Sequence, residues 1–206
     1  MTRDKITCAF WPDHSITTAR QLFHNALNWL RKNFCKDIIV FDAGGYSLSP
    51  RYRYWVDIEE VERFIKEGDA YVHKGNITKG LLSYERVVMF YRGGFMDDFY
   101  TGWCQEKREY YNRAYLDVLK KLISNYYHIG YFEKALEFYH VSLGRHICDE
   151  EIVCIAMWCY AALGDHRALK SCFSHLENIL AKDFKTTPNP TTIKLFNTLI
   201  REFKSS

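Results

Sequence analysis

Apolar residues recur at helical spacing along most of this 206-residue chain. Between residues 15 and 34, Ala19, Leu22, Phe23, Ala26 and Leu30 follow the i, i+3, i+4, i+7 rule of a helix with one apolar face. Ser15 stands where a side-chain oxygen can accept from the free N–H groups of a first turn. Residues 1–10 read as the end of another helix, stopped at Trp11-Pro12. The period then changes. Asp37 to Phe41 is a β-branched run, Ala43-Gly44-Gly45 is a turn, and Tyr46-Ser47-Leu48 alternates up to Pro50, which together predict a hairpin. From Asp57 the helical period returns, with helices predicted over 58–73, 77–91, 103–129, 132–144, 149–163, 166–182 and 191–204. Asp57 followed by Glu60 has the form of a capping box. Gly75, Gly130, Gly144 and Gly164 fall at helix ends, where a left-handed residue is wanted.

A degenerate repeat runs through the helical part. Gly130 and Gly164 are 34 residues apart, the tetratricopeptide period. The first is followed by Ala135 and Tyr139, the second by Ala168 and Phe173, with the alanine one position early. A fainter copy spans Gly75 to Tyr91. Helix pairs of this kind cannot bury both faces alone and stack on neighbours. The fold class expected is mainly α: a tetratricopeptide-like helical repeat module over 57–206, preceded by a small helical unit with a β-hairpin over 1–50.

Composition narrows the class. Hydrophobic residues make up 48% and charged ones 26%, which suits a globular protein with a real core. Aromatics reach 17%, a stock that fits helix-on-helix packing. A net charge of +3 permits nucleic-acid binding without arguing for it. Seven cysteines without a CxxC, and no signal peptide before them, point to a reduced cytoplasmic protein. The longest uncharged apolar run, Ile152 to Leu163, is too short to span a membrane.

Candidate chemistry is thin. Cys148, Cys154, Cys159 and Cys172, with His140, His146, His166 and His175, lack any zinc-finger spacing, and buried cysteine is the ordinary alternative. Asp97-Asp98 and Glu59-Glu60 are paired acids, better read as turn and cap residues than as a dyad. No nucleophile motif, triad or phosphate loop is present, so no catalytic residue, metal or cofactor is expected. Arg51, Tyr52, Arg53, Tyr54 and Trp55 interleave bases and rings, a pattern that stacks on single strands or packs as a linker. Thr18, Gln21, Asn25, Asn28, Arg31 and Lys32 form the polar face of the 15–34 helix. These residue types donate to phosphates and base edges, and they equally suit a plain solvated face.

Two stretches resemble a known family. Phe10-Trp11-Pro12-Asp13, Leu22 to Lys32 and Gly44-Gly45-Tyr46-Ser47-Leu48 resemble the second half of the winged helix-turn-helix in bacterial antibiotic-regulatory-type activators. Asp57 and Phe64, Tyr91-Arg92-Gly93-Gly94-Phe95, Trp103, Arg108, Asp149-Glu150-Glu151 and Pro188-Asn189-Pro190 resemble the bacterial transcriptional activation domain of the same proteins. The resemblance implies a partial winged-helix unit over 1–50 whose 15–34 helix reads DNA and whose Gly44-Gly45 turn is a wing tip. It implies a recruitment module over 57–206 whose partners are RNA polymerase, another regulator domain or a second copy, with no membrane. The strands and first helix that open the family's winged helix have no counterpart, and the chain starts within what corresponds to the second helix. It reads as a fragment of a larger regulator or, as the alternative, as a winged helix reduced to a packing module. The alternative function is a protein-interaction scaffold that does not touch DNA.

Overall fold

A computed structural model of the chain describes residues 1–205, leaving Ser206 of the predicted module outside. Two units emerge, one of Met1–Val56 with Gly94–Tyr110, the other of Asp57–Gly93 with Tyr111 onward.

In the first unit, Thr2 caps helix α1 (Arg3–Phe10) by accepting from the Lys5 amide. Met1 and Thr2 therefore lie outside the helix that the pattern predicts over 1–10. Trp11 closes α1 and the chain turns at Pro12 into α2 (Ile16–Asn33), where Ser15 Oγ accepts from the Thr18 amide at 3.2 Å. Helix α2 buries Ala19, Phe23 and Leu27, one face at four-residue spacing. The hairpin pairs β1 (Ile39–Asp42) with β2 (Gly45–Leu48) in the register Val40 to Ser47 and Phe41 to Tyr46. Its two-residue turn is Ala43-Gly44, with φ of 46° and 76°, the primed geometry that matches the twist of paired strands. Gly45, expected in the turn, is the first residue of β2. Met1 lies along β2's other edge, exchanging backbone bonds with Tyr46 at 2.7 and 2.8 Å. The Tyr46 ring meets Phe23 edge-on at 4.9 Å and so fixes the hairpin to α2.

Residues 94–110, which the pattern assigned to the helical module, complete this first unit. Trp103 Nε1 donates to the Ala9 carbonyl at 3.1 Å, its ring meets Phe10 at 5.8 Å, and Cys104 is fully buried.

The second unit is built from three helical hairpins and a closing helix: α3 (Asp57–His73) with α4 (Ile77–Phe90), α5 (Gly102–His128, of which Tyr111 onward belongs here) with α6 (Phe132–Gly144), α7 (Glu150–Ala162) with α8 (His166–Ile179), then α9 (Pro190–Ser205). Each pair turns in the same way. Gly75, Gly130 and Gly164 take φ of 76°, 80° and 72°, and the next amide reaches back five residues, from Asn76 to Tyr71, Tyr131 to Tyr126 and Asp165 to Tyr160, each at 2.9 Å. The repeat is thus threefold. Gly144 is an exception: it ends α6 but stays helical, and His146 takes the left-handed place instead, with φ of 55°. The capping box expected at Asp57 does not form. Asp57 accepts from the Ile58 amide, while Glu60 turns to Arg63. Helix α8 passes into a single π turn (Leu180–Phe184) rather than running straight to 182.

Helices α3 and α4 approach to backbone contact. A Cβ at Gly68 would stand 2.4 Å from the Tyr84 ring, and one at Gly80 2.5 Å from Val72. The core continues through Val118, Leu119, Leu122 and Ile123 of α5, Ala156 and Met157 of α7, and Leu169 of α8. Arg145 lies over the Tyr115 ring at 4.3 Å and donates to the Tyr91 carbonyl. No described helix is long and apolar enough to cross a membrane.

Candidate nucleic-acid interface

Burying Ala19, Phe23 and Leu27 turns the opposite side of α2 outward. Thr18, Gln21, Asn25, Asn28 and Lys32 are all exposed there, at the three- and four-residue spacing of one continuous face. Gln21 Nε2 donates to Asn25 Oδ1 at 3.1 Å, which orients the second amide. Thr17 and His24 share the surface; the spacing 17, 21, 24, 28 carries them and the polar-face reading passed them over.

Arg31 does not belong with the other five. It is only partly exposed, and its guanidinium donates to the Ile39 carbonyl of β1 at 3.2 Å. The arginine ties helix to hairpin. Sequence spacing alone places it at the edge of the polar face and cannot show that a strand passes beside it.

The electrostatics of this region differ from the rest of the chain. Residues 1–56 hold eight Lys or Arg against four Asp and no Glu, a net +4, whereas 57–206 hold 20 against 21, a net −1. No acidic residue occurs from His14 to Lys36, so α2 carries no carboxylate to repel a phosphate. The Ala43-Gly44 turn is exposed, with open space around Gly44.

The remaining clusters resolve into structure. Tyr52 donates to Asp37 at 2.6 Å and Arg51 pairs with the same carboxylate at 3.3 Å, so the basic-aromatic stretch is tied to the base of the hairpin. The Tyr52 bond, with Arg51 beside it, holds the Asp37 carboxyl below its usual range. Asp97 pairs with Arg108 at 3.0 Å. Glu60 and Glu67 both meet Arg63. Among the described residues, no three His, Cys, Asp or Glu side chains converge as a metal set. Burial pushes the Cys172 thiol up to about 11 and Cys159 up to about 12, which makes them poor nucleophiles. In the second unit a cleft of about 330 Å³ opens between α6, α7 and α8, lined by Tyr139, His140, Tyr160, Cys172 and His175, with Tyr160 Oη 3.2 Å from His140 Nε2.

The family model described as "Bacterial transcriptional activator domain" matches residues 56–200. The chain belongs to this family. The activator domain thus coincides with the helical hairpins and α9, and it includes the 94–110 segment that completes the first unit. A solved structure of Mycobacterium tuberculosis EmbR, in complex with a low-affinity phosphopeptide, superposes with a TM-score of 0.71 at 17% identity. The match covers 98% of this chain and 55% of the EmbR chain, so the activator-domain chain spans about half of that regulator's length and shares its fold. No curated protein sequence matches.

Proposed function

We propose that the chain is the DNA-contacting and partner-recruiting part of a transcription regulator. The observation that carries this reading is the exposed, carboxylate-free face of α2, formed by Thr18, Gln21, Asn25, Asn28 and Lys32 beside an exposed two-residue hairpin turn. A helix fits the major groove, amides and hydroxyls meet base edges, and the turn approaches the adjacent backbone. The helical hairpins then present a surface to RNA polymerase, to another regulator domain or to a second copy. Binding and positioning suffice for this, without a catalytic step.

The test is a titration of random-sequence duplex with the chain across salt. Affinity is expected to fall as salt rises, with a log–log slope near −0.9 per neutralised phosphate. Asn28→Ala with Lys32→Ala should lower affinity at least about tenfold, as loss of one base contact and one phosphate contact would. Both side chains are exposed, so the melting transition should stay in place. Absence of binding at about 50 mM salt, where phosphate contacts are strong, would refute the DNA reading. The chain would then be an interaction scaffold. That second reading is favoured by Trp29 and Phe34, a ring pair 58% and 67% exposed beside the same helix.

A further inference from the structure

We infer that the α2 face selects A·T base pairs, reading adenine through its amides rather than guanine through arginine. The inference rests on the DNA reading above and goes beyond it by naming the base class.

Bidentate recognition of guanine O6 and N7 is the work of arginine or lysine, and bidentate recognition of adenine N6 and N7 is the work of asparagine or glutamine. Helix α2 holds two arginines, and each has a partner within the first unit. Arg20 lies beside Asp4 of α1, 3.4 Å from its Oδ1. Arg31 is spent on the Ile39 carbonyl at 3.2 Å. Both sit on the flank turned toward the unit's own elements. Lys32 stays on the exposed face but in the last turn of α2, whereas a helix of this kind contacts bases from its N-terminal turns and leaves the far end to the backbone. His24 offers one ring bond at a time and cannot make the paired contact.

The residues that remain on the face are three amides and two hydroxyls. Gln21 donates to Asn25 Oδ1 at 3.1 Å, which fixes the Asn25 plane while leaving its N–H groups and a second lone pair on Oδ1 free. That is the donor–acceptor pair adenine presents for, held in place before DNA arrives. Among the described residues Asn28 Nδ2 and Oδ1 have no partner, so this second amide is open to a second base. Thr17 and Thr18 add methyl groups suited to thymine C5.

The experiment is selection of bound duplexes from a random pool by the full chain, followed by sequencing. Enrichment of A·T pairs at two or more neighbouring positions is expected. Replacing adenine by 7-deazaadenine at those positions, which removes N7 and so one bond of each bidentate contact, should weaken binding at least about 5-fold, the lower end of what such a contact is worth. Asn28→Arg should shift one enriched position toward guanine. Selection of guanine-rich sites by the unaltered chain, bound duplexes without base preference, or indifference to 7-deazaadenine would each overturn the inference while leaving DNA binding intact. Failure to recover any duplex at low salt would overturn the DNA reading and this inference with it.

Discussion

At the residue scale, one turn departs from its siblings in a way that costs stability. Gly75, Gly130 and Gly164 occupy the left-handed place after α3, α5 and α7, and His146 occupies it after α6. The Ile147 amide reaches back to the Ser142 carbonyl at 3.0 Å, the same five-residue closure as in the other three. An L side chain in that region costs about 1–2 kcal/mol, and glycine removes the cost. His146 is exposed, so no packing is lost. His146→Gly is expected to stabilise the chain by about 0.5–1 kcal/mol, after the extra unfolded-state freedom of glycine is set against the relieved strain. Urea unfolding would show it as a higher midpoint at unchanged slope. A lower midpoint would mean that the imidazole makes a contact worth more than the strain.

At the scale of elements, α2 and its hairpin act as one piece because Tyr46 meets Phe23 and Arg31 bonds to Ile39. Arg31→Ala is therefore expected to lower stability by about 1–2 kcal/mol, leaving the Ile39 carbonyl without its charged donor, and Arg31→Lys to recover only part of that because a point charge replaces a planar fork. Hydrogen exchange should quicken first at the amides of β1 and β2. An unchanged exchange pattern with lost DNA affinity would return Arg31 to the binding face. This residue also marks what the sequence could and could not tell. Periodicity sufficed for α2, the hairpin and the helical pairs, because apolar spacing is local. Five exposed members of the polar face followed from the same spacing. The fate of Arg31 depended on a strand eight residues away, and the contact of α3 with α4 depended on Gly68 and Gly80, two mid-helix glycines whose reason is the Tyr84 ring and Val72 across the interface. No one-dimensional period carries such information.

At the scale of the whole molecule, the division into units crosses the order of the chain. Gly130 and Gly164 keep the repeat period of 34, whereas Gly75 and Gly130 are 55 apart. The extra length holds residues 94–110, which fold with Met1–Val56. Arg108 organises this segment: it donates to the Phe95, Met96 and Phe99 carbonyls at 3.1, 2.7 and 3.1 Å and pairs with Asp97. The Asp97 carboxylate folds back close over Gly94, where an added Cβ would stand 1.9 Å from it. The segment brings Trp103 to α1 and adds the buried Cys104, and it matters because residues 1–56 bury only Ala19, Phe23 and Leu27 as apolar side chains. A core so thin does not offset the chain entropy of fifty-six residues. Residues 1–56 expressed alone are accordingly expected to show no cooperative thermal transition. In the full chain, Trp103→Ala should lower stability by about 2 kcal/mol, less than for a fully buried tryptophan because this one is partly exposed. Hydrogen exchange in that variant should rise at α1 before it rises in α7 or α8. A cooperative melt of residues 1–56 alone would instead mean that α1, α2 and the hairpin hold their fold unaided, and that residues 94–110 only cover a surface already formed.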